Sequence, residues 1–148
     1  MDFKNKVVLI TGASSGIGKQ TAIEFAKLGS NIILVARRKD KLEQVENELK
    51  QFNVTTLICP CDVSKKDQVE IMSKTVLEKF NFVDILVNNA GFAIYGSVLD
   101  LSIEEIESQM ETNYFGMIYC TKNFLPLMLK KKSGHIVNVA SVAASFGL

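Results

Sequence analysis

VVLITGASSGIGKQTAIEFAKLG, residues 7–29, is the stretch on which the reading of this chain turns. It begins as an apolar run of strand length and ends as an amphipathic segment, with Gly12, Gly16 and Gly18 between them. A run that is apolar throughout, rather than alternating, suits a strand covered on both faces, as in a parallel sheet sheathed by helices. After Gly16, Ala22, Ile23 and Ala26 share a helical face with Phe25 beside it, and Gly29 stands where a left-handed residue closes a helix.

The same alternation continues outward. Further apolar runs predict strands over 31–36, 54–59, 83–87 and 136–140. Leu42, Val45, Leu49 and Phe52 make one stripe of a second helix over 39–52, and Ser64 is a candidate N-cap for a third, with Val69, Met72, Val76 and Phe80 on its buried face. SIEE, from Ser102 to Glu105, is a capping box opening a long helical stretch in which Pro126 predicts a kink or break. Strands alternating with helices imply right-handed crossovers and an α/β fold, a doubly wound parallel sheet in three layers, α/β/α.

Composition narrows the function. The 148 residues have the length of one domain; no linker or internal repeat divides 1–148. Seventeen basic against sixteen acidic residues give a net charge of +1, without the basic footprint of a nucleic-acid binder, and Lys130, Lys131 and Lys132 suit a helix C-terminus. No apolar run approaches a membrane span and the N-terminus lacks the pattern of a signal peptide, so the expected location is cytoplasmic. Cys59, Cys61 and Cys120 cannot all pair, and with His135 far away at a strand start they predict structural thiols rather than a metal site.

In a doubly wound sheet the first strand-to-helix turn is the usual seat of a phosphate. Gly12 lets the chain reverse after the strand. Gly16 keeps a Cβ out of the path of a pyrophosphate, and Gly18 lets the helix lie against the sheet. Ser14, Ser15 and Ile17 complete the turn, whose helix start offers unpaired N–H groups and a positive dipole end. A tight connection can also require glycine for packing alone, and the spacing departs from G-x-G-x-x-G.

Further stretches carry a resemblance. TGASSGIG, CDV at Cys61 to Val63, NNAG at Asn88 to Gly91, Asn113 in TNYFG and Ser141 in GHIVNVASVAA occur in an order and spacing that resemble the N-terminal part of a short-chain dehydrogenase/reductase. The resemblance implies a Rossmann-like sheet, incomplete at its C-terminal side, that binds a nicotinamide dinucleotide. It implies that Asp62 accepts from the adenine amino group and Val63 lines the adenine pocket. It also implies that Asn88 steadies the sheet, while Asn89, Ala90 and Gly91 border the coenzyme ribose. Asp62 at a strand end can equally begin a turn, and an Asn-Gly segment can be one.

The sequence also speaks to which nicotinamide coenzyme. An acidic residue at the end of the second strand binds a ribose 2′-hydroxyl, and arginine accommodates a 2′-phosphate. Here Ala36 is followed by Arg37 and Arg38, with no carboxylate before Asp40. The expectation is NADP(H) over NAD(H), with Arg37 the main contact, against the alternative that both arginines are simply solvated.

In the family, Ser141 would orient the substrate oxygen and Asn113 would hold a water in the proton relay, as the catalytic residues. The YxxxK tyrosine and lysine are not in the sequence: Tyr95, Tyr114 and Tyr119 precede Ser141 and none has lysine four positions on. The expected activity is hydride transfer to or from a small alcohol or carbonyl substrate. The competing expectations are a noncatalytic NADP-binding or assembly module complete at 148 residues and, less favoured, a flavin-binding domain. An apolar last strand left at the sheet edge predicts self-association as a homo-oligomer.

Overall fold

The first strand, β1 (Val7–Thr11), is buried along its whole length, with Val7 and Leu9 turned to one face and Val8 and Ile10 to the other. Full burial of such side chains is worth about 1.5–3 kcal/mol each, which explains why β1 sits in the middle of the molecule. The computed structural model describes residues 2–141. The remaining elements are α1 (Gly16–Lys27), β2 (Asn31–Ala36), α2 (Lys39–Leu49), β3 (Thr56–Pro60), α3 (Lys66–Phe80), β4 (Ile85–Asn88), α4 (Ile103–Met110), α5 (Gly116–Lys131) and β5 (His135–Asn138). The strands form one parallel sheet in the order β3-β2-β1-β4-β5.

Alternate residues of that sheet feed two cores. Ala22 and Ala26 of α1 and Leu42, Val45 and Leu49 of α2 pack on Val8, Ile10, Ile32 and Leu34. Val69, Met72 and Val76 of α3 and Cys120, Phe124 and Met128 of α5 pack on Leu9, Ile33, Val35 and Leu86. Crossovers leading outward from β1 to β3 therefore lie on one face, and those leading to β4 and β5 lie on the other. The expected three-layer α/β/α arrangement is observed, and the chain reverses direction across the sheet between β1 and β4.

Several boundaries differ from expectation for identifiable reasons. The second helix ends at Leu49, passing through a 3₁₀ turn, Lys50–Phe52, to Asn53 at φ 53°, so β3 begins at Thr56. Ser64 does not cap α3, whose N-cap is Lys65; the Ser64 hydroxyl donates instead to Asp62 Oδ1 at 2.8 Å. The capping box of α4 is present in both directions: Ser102 Oγ accepts from Glu105 N at 3.2 Å and Glu105 Oε2 accepts from Ser102 N at 2.8 Å. Pro126 neither ends nor interrupts α5, which continues to Lys131. Proline removes a backbone donor and crowds the preceding turn, but Cys120, Phe124 and Met128, buried at four-residue steps, hold the helix to the core on both sides of it. The irregularity falls upstream, as a π-helical turn at Glu111–Phe115 that joins α4 to α5.

β5 ends at Asn138 rather than 140, and among the described residues it pairs with β4 alone. In register with the buried Val87, Val137 is 46% exposed, and Val139 beyond it is 41% exposed. Among the described residues β5 is thus the edge strand, with apolar residues in the open.

The three cysteines are unpaired and buried in one core. Burial pushes the thiols up, Cys59 to about 11 and Cys61 and Cys120 to about 12, with the Asp62 carboxylate adding to the effect at Cys61. Neutral thiols are poor nucleophiles. At pH 8 the native protein is expected to resist a thiol-specific reagent, with all three sites labelled in guanidinium. Because burial favours the protonated form, its stabilisation is present below the ordinary thiol value of 9.0 and is lost as pH rises towards the folded values. Stoichiometric labelling of the native chain within minutes would contradict this placement.

Candidate functional site

The carboxyl ends of β1 to β4 open onto a cleft of about 580 Å³, within the range of small-molecule sites. It is lined by the turn after β1 (Gly12, Ser14, Ser15, Gly16, Ile17), by Arg37 and Arg38 after β2, by Asp62 and Val63 after β3, and by Asn89, Ala90 and Gly91 after β4. All of these are residues that the sequence singles out.

The β1 turn is held against the segment after β4. Thr11 Oγ1 accepts from Asn89 N at 2.9 Å and Ala90 N at 3.0 Å, and Asn89 Nδ2 donates to Thr11 O at 2.9 Å. Gly12 has φ +66°, and a Cβ there would stand 2.9 Å from both Ala90 Cα and Asn89 Nδ2. Gly16 has φ +53° and nothing within 4 Å of where a Cβ would be, so its surroundings are open. Gly18 lies behind the cleft: a Cβ on it would run into the Gly12 carbonyl, which is why α1 can lie so close to the turn. Ser15 is the N-cap of α1 without a side-chain capping bond. First-turn N–H groups without helical partners, at the positive end of a helix, suit an anion.

At β2 the two arginines are exposed, and among the described residues neither guanidinium has a carboxylate partner. The first acidic residue of that segment, Asp40, belongs to the first turn of α2. At β3 the turn reading of Asp62 is observed, and it leaves one carboxylate oxygen unused. Its Oδ1 accepts from Ser64 N at 3.1 Å and Ser64 Oγ at 2.8 Å, forming a turn, while Oδ2 has no hydrogen-bond partner among the described residues. Val63 is buried against the α3–α5 core and faces the cleft at its edge.

Asn88 lies outside the cleft lining and ties strands together, donating to Asn138 Oδ1 at 2.9 Å and Thr121 Oγ1 at 3.2 Å. Its own Oδ1 is buried without a partner among the described residues. Asn113 sits in the π-helical turn with both ends of its amide on one residue: Nδ2 donates to Phe92 O at 2.8 Å and Oδ1 accepts from Phe92 N at 3.0 Å. Ser141 is exposed, beyond the end of β5, and is not among the cleft-lining residues. Sequence reading missed Ala36, Cys61, Phe92, Thr112 and Val139 in the lining, and Thr11 beneath it. Register supplies the missing signal for the strand ends, whereas Thr112 arrives only through the π-helical turn. Among the described residues no three metal-ligating side chains cluster.

Known proteins share this geometry. A family model described as short chain dehydrogenase matches residues 6–148. The dehydrogenase/reductase SDR family protein 7-like of Anopheles gambiae is 40% identical over 148 residues, covering 97% of this chain and 47% of that protein. An uncharacterized oxidoreductase of Mycobacterium bovis is 43% identical over 145 residues, covering 94% of this chain and 42% of its own length. Among solved structures, NAD+-bound xylitol dehydrogenase superposes with a TM-score of 0.95 at 30% identity, over 100% of this chain and 57% of that one. An F189W actinorhodin polyketide ketoreductase with NADPH gives 0.93 at 35% identity, over 97% and 56%. The chain spans about half the length of the curated relatives it matches. Together with the parallel sheet and the cleft at its switch point, these matches establish that the chain belongs to the short-chain dehydrogenase family.

Proposed function

We propose that the whole protein is an NADP(H)-dependent oxidoreductase acting on a small alcohol or carbonyl compound, and that residues 1–148 form its coenzyme-binding part. The observation that carries the choice of coenzyme is the pair Arg37 and Arg38, both on the cleft that the glycine turn lines and both without a carboxylate partner among the described residues. Family membership alone does not choose, since the similar structures include NAD+-bound and NADPH-bound proteins. A carboxylate at this position would repel a 2′-phosphate, whereas a guanidinium fork can hold one in a bidentate pair.

The remaining residues fit a dinucleotide laid across the strand ends. The N–H groups at the start of α1 hold the pyrophosphate, and Asp62 Oδ2 accepts from the adenine amino group beside Val63. Ala90 and Gly91 leave room for a ribose. When bound, the nicotinamide gives or takes the hydride. Ser141 donates its hydroxyl to the substrate oxygen as charge develops there, a contribution of the kind oxyanion donors make. Because the Asn113 amide is occupied at both ends by Phe92, its share in a proton relay falls to the main chain of the π-helical turn, whose carbonyls are out of α-helical register. The tyrosine and lysine of the family pattern are not among these 148 residues, so hydride chemistry is proposed for the whole protein and coenzyme binding for this chain.

Arg37→Ala is expected to weaken NADPH about tenfold, as loss of a charged hydrogen bond does, with NADH changed less than about twofold; fluorescence titration reads both. An unaltered preference would remove the 2′-phosphate assignment. Gly16→Val places a β-branched residue at positive φ and a side chain in the open space beside the turn. It should weaken both coenzymes by at least roughly tenfold while costing about 1–2 kcal/mol of stability, and equal binding by variant and wild type would empty the phosphate seat. The apolar edge of β5 also leads us to propose self-association of this chain, which sedimentation velocity tests; a single monomeric boundary at tens of micromolar would refute it.

A further inference from the structure

The coenzyme cleft is braced from behind by the turn that joins α4 to α5. Glu111 at the head of that turn lies 3.4 Å from Lys65 in the loop after β3, and Asn113 holds Phe92. Gly116, the first residue of α5, is buried against Val63: a Cβ at Gly116 would stand 2.8 Å from Val63 Cγ2 and 3.1 Å from Val63 O.

Backbone conformation does not call for glycine here, because Gly116 is ordinary α-helix at φ −57° and ψ −43°. Alanine would be the better helix former at such a position. Space is the remaining reason, and the neighbour that fills it is a wall of the cleft. Val63 cannot easily yield. Its χ1 is stiff, and its loop is pinned by the two Asp62–Ser64 bonds and by Lys65 N donating to Asp62 O at 3.0 Å. With α5 on one side and the cleft on the other, displacement leads into the cleft.

We infer that Gly116 is a positioning residue of the coenzyme site: its missing side chain lets Val63 sit back against α5 and so sets the width of the adenine end. This rests on the coenzyme reading above. Gly116 is not among the cleft-lining residues; it acts through Val63 alone.

The test uses the full chain and isothermal titration with NADPH and with adenosine 2′,5′-bisphosphate, which carries only the adenine half. Gly116→Ala should weaken both by a similar factor, roughly tenfold, as overpacking by one methyl does. Adding Val63→Ala removes Cγ2, the one contact under 3.0 Å, and leaves Val63 Cβ and O at 3.1 Å, which a shift of a few tenths of an ångström relieves. Affinity should return to within about twofold of Val63→Ala alone, a recovery that a general loss of stability would not give. Wild-type affinity in a folded Gly116→Ala protein overturns the inference, as does a double variant that stays as weak as Gly116→Ala. If the single variant does not fold, the double decides: folding and binding at the Val63→Ala level supports the inference, and failure to fold overturns it. Wild-type protein that binds neither probe would instead defeat the coenzyme reading itself.

Discussion

The contact on which the rest of the site depends is the close approach of the β1 turn to the segment after β4. Gly12 and Ala90 come so near that no side chain fits between them, and the Thr11 hydroxyl and Asn89 amide close the gap with hydrogen bonds. This is the point at which the sheet changes direction, so the crossovers diverge and leave a crevice above it. Buried backbone groups must be paired. Asn89 therefore satisfies two successive main-chain oxygens at the end of β1, Thr11 O at 2.9 Å and Gly12 O at 3.4 Å. The glycine turn keeps its shape because the strand beside it supplies donors at the right height.

Much of this was legible in the residues. β1, β2, α1 and the capping box of α4 could be read because the signal is local: continuous apolar character, a stripe at helical spacing, or a cap and its partner three residues apart. In the cleft lining, the glycine turn and the two arginines were legible because every strand of a parallel sheet ends on the same side and the first two strand ends carry them. Asp62, Val63, Asn89, Ala90 and Gly91 were named only through the resemblance to the family. The failures share a different cause. Ser64 looked like a cap, but a competing acceptor, Asp62 Oδ1, sits two residues away. Pro126 predicted a kink or a break, and the break is absent because tertiary packing of Cys120, Phe124 and Met128 outweighed a local cost. Thr112 reaches the cleft through a π-helical turn that no periodicity announces.

That turn shows how the two halves of the chain share one site. A π-helical turn takes an extra residue into a helix and rotates the downstream residues about its axis. Here the turn spans Asn113, whose amide grips the main chain of Phe92, and ends at Gly116, which lies against Val63. The segment after β4 and the segment after β3 are therefore referred to one rigid element instead of to each other. A continuous α-helix from Ile103 to Lys131 would present a different set of side chains to both. The Lys65–Glu111 pair at the same junction is half exposed on both sides, so solvent screening leaves it a small contribution and the packing at Gly116 the larger one.

Charge works on the same local scale. With seventeen basic and sixteen acidic residues the chain has almost no net field to draw an anion from a distance, and at physiological salt exposed charges are screened beyond about 8 Å. Attraction for a polyanion must come from the cleft's own wall. Two exposed guanidiniums stand at the end of β2 and the positive end of α1 beside them, while Asp62, the carboxylate of the lining, already has one oxygen engaged by Ser64. The cleft thus separates its electrostatics by position: cationic over β1 and β2, acceptor-bearing over β3. The coenzyme proposed above, a dinucleotide phosphorylated on the adenine ribose, would present the complement, with phosphates along one side and an amino group at its tip. The order of strands across the sheet turns three ordinary sequence segments into that pattern.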